Sequence, residues 1–93
     1  MIVSFRCKHT QHLFETGRSA DFAAVASVAM RKLAQLDAAV SLGFLRATPG
    51  NRLEALQGSR RGQHSIRVND QYRICFAWTA AGPSQVEFVD YHS

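Results

Sequence analysis

Residues 63–78 read QHSIRVNDQYRICFAW, and this stretch decides the fold. Apolar residues occupy every second position on each side of a short polar segment, Asn69-Asp70-Gln71. This alternation is typical of two half-buried strands joined by a turn. The stretch therefore predicts an antiparallel β-hairpin that turns one face toward a core.

The register of this hairpin follows from the length of its loop. A three-residue loop pairs Val68 with Tyr72 and Ile66 with Ile74, so apolar residues meet apolar residues. A two-residue loop would set Ile66 opposite an arginine. A slip of one residue moves every side chain to the other face of the sheet, so the three-residue loop is favoured.

The same register sets Arg67 opposite Arg73. Like charges that face each other on a sheet are unfavourable unless an anion lies between them. Either both side chains extend into water, or they share an anionic ligand.

The elements around the hairpin predict an α+β fold. We expect an opening strand at residues 2–5, a short helix at 8–15 and a long helix from residue 22 to just before Gly43. Loops at 45–50 and 80–84 and strands at 53–56 and 86–91 complete the order. This predicts an N-terminal strand, two helices, then antiparallel strands in one sheet that the helices cover on one face.

The long helix is predicted by a stripe of apolar residues at spacings of three and four. Ser19 is a suitable N-cap, and Asp21 adds negative charge to the first turn. The stripe consists of Phe22, Val25, Ala29, Leu33, Leu36 and Val40. Arg31, Lys32, Gln35 and Asp37 fall between its members.

The size of the chain bounds its organisation. With 93 residues, of which 46% are hydrophobic, residues 1–93 are expected to form a single domain. No apolar run approaches the roughly 18 residues that a membrane span needs. The N-terminal residues lack the pattern of a secretory signal, so we expect no membrane association and a cytoplasmic location.

Positive charge is concentrated in one part of the chain. The formal net charge is +4. The segment from residue 46 to residue 73 holds only two acidic residues, Glu54 and Asp70, against arginines at 46, 52, 60, 61, 67 and 73. Arginine suits phosphate oxygens, so a nucleic acid or another polyanion is the favoured partner. A solvated basic surface without a ligand is the alternative.

The two cysteines and three of the histidines indicate little chemistry. Cys7 and Cys75 form no Cys-x-x-Cys motif and are interpreted as reduced packing residues, with a disulfide or redox role as the alternative. His64 lies on the apolar strand face and is interpreted as a core or boundary residue. His9 and His12 have a spacing that could share a metal, but no further ligands complete the set, so no metal and no cofactor are predicted.

Three segments together resemble HigB-type killer proteins of the RelE/ParE toxin superfamily. They are GNRLEALQG at residues 50–58, QHSIRVNDQYRICF at 63–76 and VEFVDYH at 86–92. The opening IVSF at 2–5 and LFETG at 13–17 are similar to the family as well. The resemblance covers nearly the whole chain.

The resemblance implies a compact RelE/ParE-like fold and the toxin of a type II toxin–antitoxin system. It implies an endoribonuclease that cuts mRNA on the translating ribosome without a metal, using the 2′-hydroxyl of the RNA. It further implies neutralisation by a HigA-like helix-turn-helix antitoxin, through which alone the toxin would reach operator DNA.

The resemblance also implies site residues. Arg73 matches the arginine of the family's hairpin, and Asp90, Tyr91 and His92 match its C-terminal functional cluster. Glu54 stands where some members carry a histidine, and Gln57 stands where a lysine usually precedes the glycine. Both departures remove potential positive charge from this possible secondary site.

Metal-free RNA cleavage needs a base, an acid and cations around the phosphate. His92 suits proton transfer because its unperturbed pKa is about 6.5. Asp90, two residues earlier, can orient the imidazole or act as the base, and Tyr91 can stack on a base of the RNA. Arg73 is predicted to stabilise the phosphate.

Four other arginines are predicted mainly to bind RNA or the ribosome rather than to take part in the chemistry. Arg67 is a weaker second candidate at the phosphate, and it joins the residues expected to bind RNA or the ribosome. That set is Arg52, Arg60, Arg61 and Arg67.

Three alternatives remain at this stage. A toxin of the same fold that acts on DNA gyrase would not need the Asp-Tyr-His ending. A plain RNA-binding module would not need a neighbouring antitoxin gene. A decayed toxin would account for Glu54 and Gln57. At the level of single residues, His92 can be merely exposed, Asp90 can pair with an arginine, and Tyr91 can be ordinary packing.

Overall fold

A computed structural model describes residues 1–20 and 22–90 of the chain. Within these residues there are three α-helices and one four-stranded antiparallel sheet. The helices are α1 (Lys8–Thr16), α2 (Ala26–Ala38) and α3 (Leu42–Ala47), and the strands are β1 (Glu54–Ala55), β2 (Gln63–Arg67), β3 (Tyr72–Thr79) and β4 (Gly82–Asp90). The fold is thus α+β, as the sequence predicts.

The central hairpin has the predicted register. Ile66 lies opposite Ile74, and Arg67 lies opposite Arg73. The three-residue loop is closed by the side chain of Asn69, whose Oδ1 accepts hydrogen bonds from the backbone N–H groups of Gln71 (2.9 Å) and Tyr72 (2.8 Å). Asparagine side chains often stabilise turns in this way.

The opening segment is extended, but it is a single bridge rather than the predicted strand at residues 2–5. Phe5 forms an isolated parallel bridge with Val86. The reason lies in the pairing of β3 with β4: its register shifts between Cys75 and Ala77 of β3, and Gln85 of β4 adopts a φ of 53°. This bulge breaks the regular series of hydrogen bonds at the edge of β4, so the N-terminal segment pairs there only locally.

The predicted long helix is interrupted, which corrects the sequence interpretation. A 3₁₀ turn at Ala23–Val25 precedes α2, and the side chain of Ser19 accepts a hydrogen bond from Phe22 N (3.0 Å). Ala39 is extended with ψ 131°, and α3 then begins with Ser41 as its N-cap. Val40 is 88% exposed and does not belong to the buried stripe. Asp21 lies outside the described residues.

Two strand boundaries also differ from the prediction. β1 is only two residues long, and β4 begins at Gly82, inside the loop predicted at residues 80–84. Pro83 pairs with Trp78, so the second hairpin turns more tightly than its Gly-Pro dipeptide suggests. Proline is accepted there because it stands near the beginning of an edge strand.

The core lies between the helices and one face of the sheet. Ile66, Ile74 and Phe76 are fully buried against residues of α1 and α2 such as Leu13 and Leu33. The alternation of the strands turns the intervening side chains to the opposite face. No helix in the described ranges is both long and apolar enough to cross a bilayer.

Candidate functional site

The polar face is the sheet surface opposite the core, and it gathers the arginines of β2 and β3 together with Glu87 of β4. Its residues alternate with the core residues along β2, β3 and β4. We define it by Ser65, Arg67, Arg73, Cys75 and Glu87. Arg73 occupies its centre, between Arg67 on β2 and Val89 on β4.

Arg73 is held by the protein itself. Its Nε donates to Ser65 Oγ at 2.7 Å, and its Nη2 donates to the Arg52 carbonyl at 2.6 Å and to the Ser65 carbonyl at 3.3 Å. The residue is only 8% exposed. The guanidinium is therefore fixed in direction and shielded from water, which strengthens its field at a nearby anion.

Glu54 is brought next to this arginine. Its Oε1 lies 3.9 Å from Arg73 Nη2, and its side chain is 56% exposed. The pairing of Glu54 with Ser65 in the sheet accounts for this position. An accessible carboxylate beside a desolvated guanidinium can accept a proton from a hydroxyl group bound at the same place.

Among residues 1–20 and 22–90, the two opposed arginines contact different groups. Arg67 forms an ion pair with Asp70 in the hairpin loop, whereas Arg73 turns toward Ser65 and Arg52. Each guanidinium thus has its own partners in the chain, which relieves the repulsion that the register creates.

The predicted RNA-binding arginines differ in their surroundings: some are paired with acidic residues of the protein, and others are exposed. Arg60 reaches over the polar face to Glu87, with Nη2 3.0 Å from Oε1, and its Nη1 donates to Gln63. Arg52 and Arg61 are exposed. Gln57, part of the possible secondary site, is exposed as well.

The predicted C-terminal cluster is described only at its first residue. Asp90 ends β4 opposite Tyr72, and its Oδ2 accepts a hydrogen bond from Gln71 Nε2 at 3.1 Å. The register places Asp90 one position beyond Val89, the neighbour of Arg73, so the alternation along β4 turns Asp90 to the face opposite Arg73. Tyr91 and His92 lie outside the described residues.

Cys75 has none of the properties of a nucleophile. It is fully buried, and burial raises the pKa of its thiol, an effect that Glu87 reinforces and that Arg60 and Arg73 oppose. A raised pKa keeps the group as the unreactive thiol at neutral pH. Among residues 1–20 and 22–90, no three His, Cys, Asp or Glu side chains are placed to hold a metal ion.

Sequence reasoning missed two buried polar residues beneath the site. Lys32, which falls between members of the apolar stripe, is only 7% exposed and donates to Asn51 Oδ1 at 2.5 Å. A signal was present, since Lys32 follows the buried Ala29 by three residues and precedes the buried Leu36 by four. These spacings place it on the same side of the helix.

The fold and the polar face together define a small α+β protein with an arginine-centred sheet surface, the class that includes RelE-like toxins. The family described as the RelE-like toxin of the type II toxin–antitoxin system HigB matches residues 3–92. The chain therefore belongs to the HigB-like toxins.

Two relatives are similar to the chain, and the name of one agrees with this family. The chain is 39% identical over 80 residues to Toxin HigB-1 of Vibrio cholerae, covering 84% of each protein. It is also 39% identical over 51 residues to an uncharacterized protein of Haemophilus influenzae, covering 55% of this chain and 50% of that protein. The protein is thus a toxin of a type II toxin–antitoxin system, a family that implies a cognate antitoxin.

Proposed function

We propose that this toxin inhibits translation as a ribosome-dependent mRNA endoribonuclease, cutting without a metal through attack of the RNA 2′-hydroxyl. The observation that carries the proposal is the Arg73–Glu54 arrangement on the polar face of a HigB-like toxin. It sets a fixed cation, which can stabilise the phosphate, beside an accessible carboxylate, which can serve as the base for a neighbouring hydroxyl.

In this proposal, Arg73 stabilises the charge that builds up on the phosphate. The 2′-oxygen attacks phosphorus, the bond from phosphorus to the 5′-oxygen breaks, and a cyclic phosphate and a 5′-hydroxyl result. Negative charge accumulates on the non-bridging oxygens at the transition state. Because the guanidinium is already held by Ser65 and Arg52, little reorganisation is needed when that charge appears.

Proton transfer is assigned to two groups. Glu54 takes the proton of the 2′-hydroxyl, because it is the carboxylate found beside Arg73. His92 gives a proton to the leaving 5′-oxygen, Asp90 orients the imidazole, and Tyr91 stacks on a base of the RNA. Positioned proton transfer of this kind contributes about 10²–10⁴-fold in rate.

Binding is assigned to the exposed arginines. Arg52 and Arg61 are exposed, so they contact phosphates of the message or of ribosomal RNA, with Arg67 and Arg60 at the border of the site. A HigA-like helix-turn-helix antitoxin neutralises the toxin and carries it to operator DNA. Because the proposed activity takes place on translating ribosomes, the toxin would act in the cytoplasm.

The deciding experiment is primer extension on a defined message, with purified toxin added in the presence and absence of translating ribosomes. We compare the wild type, His92→Ala and a control, His12→Ala, which removes an exposed histidine of α1. The proposal expects cuts that require ribosomes, persist in His12→Ala and vanish in His92→Ala.

The contrary outcomes are distinct. Cuts that persist in His92→Ala would remove His92 from the mechanism. An absence of cuts in every lane would overturn the nuclease proposal, and inhibition of DNA gyrase supercoiling would then be the next assay.

A further inference from the structure

Lys32 is a buried cation whose hydrogen-bond partner in the described part of the chain is an amide oxygen. Its ammonium donates to Asn51 Oδ1 at 2.5 Å, and no carboxylate within residues 1–20 and 22–90 forms an ion pair with it. Burial lowers the pKa of Lys32, and the positive charges of Arg31 and Arg67 lower it further. Burial of an ammonium without an ion pair is unfavourable, so its one strong contact, with Asn51, calls for a structural explanation.

That contact is made with a residue that connects three parts of the fold. Asn51 is fully buried. Its Nδ2 donates to the Leu45 carbonyl of α3 at 3.2 Å, and its own carbonyl accepts from Arg67 N of β2 at 2.6 Å. Because Lys32 of α2 donates to Asn51 Oδ1, Asn51 is hydrogen-bonded to α2, to α3 and to β2.

Arg52, the next residue along the chain, supports Arg73 through its backbone carbonyl. The Arg52 carbonyl accepts from Arg73 Nη2 at 2.6 Å. Arg52 has a φ of 46°, a left-handed conformation that a residue with a side chain seldom adopts. Such a conformation persists only where the surroundings hold it, and the anchored Asn51 is the immediate neighbour.

We propose that Lys32 and Asn51 form a positioning element, in which the buried ammonium anchors Asn51 so that the left-handed Arg52 presents its carbonyl to Arg73. Lys32 itself does not touch the RNA. A charge-assisted hydrogen bond is stronger than a neutral one, which explains why a lysine occupies a site where an apolar side chain would be easier to bury. The role in catalysis rests on the function proposed above, whereas the effect on Arg73 does not.

The test follows the Nε–H resonance of Arg73 in ¹⁵N–¹H NMR spectra of the full chain, assigned by its loss in Arg73→Lys. In the wild type we expect this proton to be protected from exchange, because it is buried and donates to Ser65 Oγ. Lys32→Met keeps the length of the side chain but removes the ammonium. We expect the resonance to shift and to exchange with water about tenfold faster, the order that loss of one hydrogen bond produces.

Two further variants separate positioning from general destabilisation. Leu36→Ala removes a fully buried side chain from the same helix, and we expect it to lower stability without moving the Arg73 resonance. Lys32→Arg restores a cationic donor, and we expect it to return the resonance toward the wild-type position. If Lys32→Met does not fold, Lys32→Gln, which keeps an amide donor, is compared with Leu36→Ala instead.

The kinetic readout is kept separate. In the cleavage assay we expect Lys32→Met to lower kcat with KM unchanged, because only the transition state depends on the exact place of the guanidinium. An unchanged Arg73 resonance in Lys32→Met, or an equal change in Leu36→Ala, overturns the positioning role. If the resonance shifts in Lys32→Met but the wild-type protein cuts no RNA, the positioning role is supported and the nuclease proposal is rejected.

Discussion

The Nη2 atom of Arg73 lies 2.6 Å from the carbonyl oxygen of Arg52, although β2 separates the strand of Arg73 from the chain that leads into β1. The arginine side chain therefore crosses β2, where Ser65 Oγ accepts from its Nε. The direction of the guanidinium depends on two backbone segments that are distant in sequence. A small displacement of residues 50–53 would be transmitted to the cation at the centre of the polar face.

Arg73→Lys should separate the geometry of this group from its charge. A lysine ammonium keeps the charge but cannot bind Ser65 and Arg52 together. We expect cleavage to fall about 10²–10³-fold and the free energy of unfolding to fall by about 1–3 kcal/mol. Primer extension and urea unfolding measure the two effects. The matched control is Arg67→Lys, whose partner is the loop residue Asp70. A loss in Arg67→Lys as large as that in Arg73→Lys would contradict the central place of Arg73.

Glu54→Gln should affect chemistry but not folding. Its side chain is 56% exposed and stands 3.9 Å from Arg73, so its removal should change stability by less than about 0.5 kcal/mol. As the base, it should account for about 10²–10⁴-fold in the cleavage rate. Glu15→Gln, at an exposed site of α1, is the control for loss of one negative charge. Full activity in Glu54→Gln would assign the base to another group.

Arg60 and Arg61 should separate folding from binding. Arg61 is exposed, so Arg61→Ala should reduce the salt dependence of ribosome binding by about 0.7–0.9 in the log–log slope for one phosphate contact. Arg60 is paired with Glu87, so Arg60→Ala should cost about 1 kcal/mol of stability and leave the slope unchanged. Binding titrations at several salt concentrations measure both. If the salt dependence of ribosome binding fell in Arg60→Ala but not in Arg61→Ala, then Arg60 rather than Arg61 would make the phosphate contact.

Lys32 should make stability depend on pH in the alkaline range. Its pKa in the folded protein is lowered from the ordinary value of 10.5. Between the folded and unfolded pKa values the unfolded chain binds more protons, so the contribution of this group to stability rises with pH. We expect wild-type stability to rise relative to Lys32→Met between the lowered value and 10.5. Urea unfolding at a series of pH values measures the difference, and a parallel pair of curves would show that Lys32 is not desolvated.

Gly82 should not tolerate a side chain. It has a φ of 129°, and a Cβ at this position would collide with the backbone carbonyl of Met1. We expect Gly82→Ala to displace the N-terminal segment and to cost more than about 1 kcal/mol. Gly43→Ala, in α3 with only an ordinary contact to Ser41, should instead be neutral or stabilising by up to about 1 kcal/mol. Thermal unfolding of the two variants distinguishes these expectations, and equal midpoints would contradict the close contact at Gly82.

The hairpin shows how far local pattern reaches. Its register, its three-residue loop and the opposition of Arg67 to Arg73 follow from the alternation of apolar residues, since one shift would turn every side chain to the wrong face. The helical region shows the limit. The apolar stripe continues to Val40, but the chain becomes extended at Ala39, and Asp37 binds the backbone of Ile2 instead. The spacing of apolar residues along a helix cannot predict this contact, because it joins residues far apart in the sequence.

The candidate site divides in the same way. The types of residue proposed for the site are visible in the sequence: arginines, an acidic residue on a short strand and a C-terminal Asp-Tyr-His run. The partners were not. Nothing local indicates that Arg60 pairs with Glu87, or that Arg73 is supported by Arg52.

By itself, the sequence determined the α+β class, the hairpin and its register, the concentration of arginine between residues 46 and 73, and the family resemblance. The first three depend on the types of residue and their spacing over short stretches, and the resemblance depends on the ordered set of motifs along the chain. Only the tertiary structure decided that Lys32 is buried beneath Asn51, that Arg73 crosses β2, and that Glu54 stands beside it. Those contacts join residues 8 to 21 positions apart, and their formation depends on how the helices pack against the sheet.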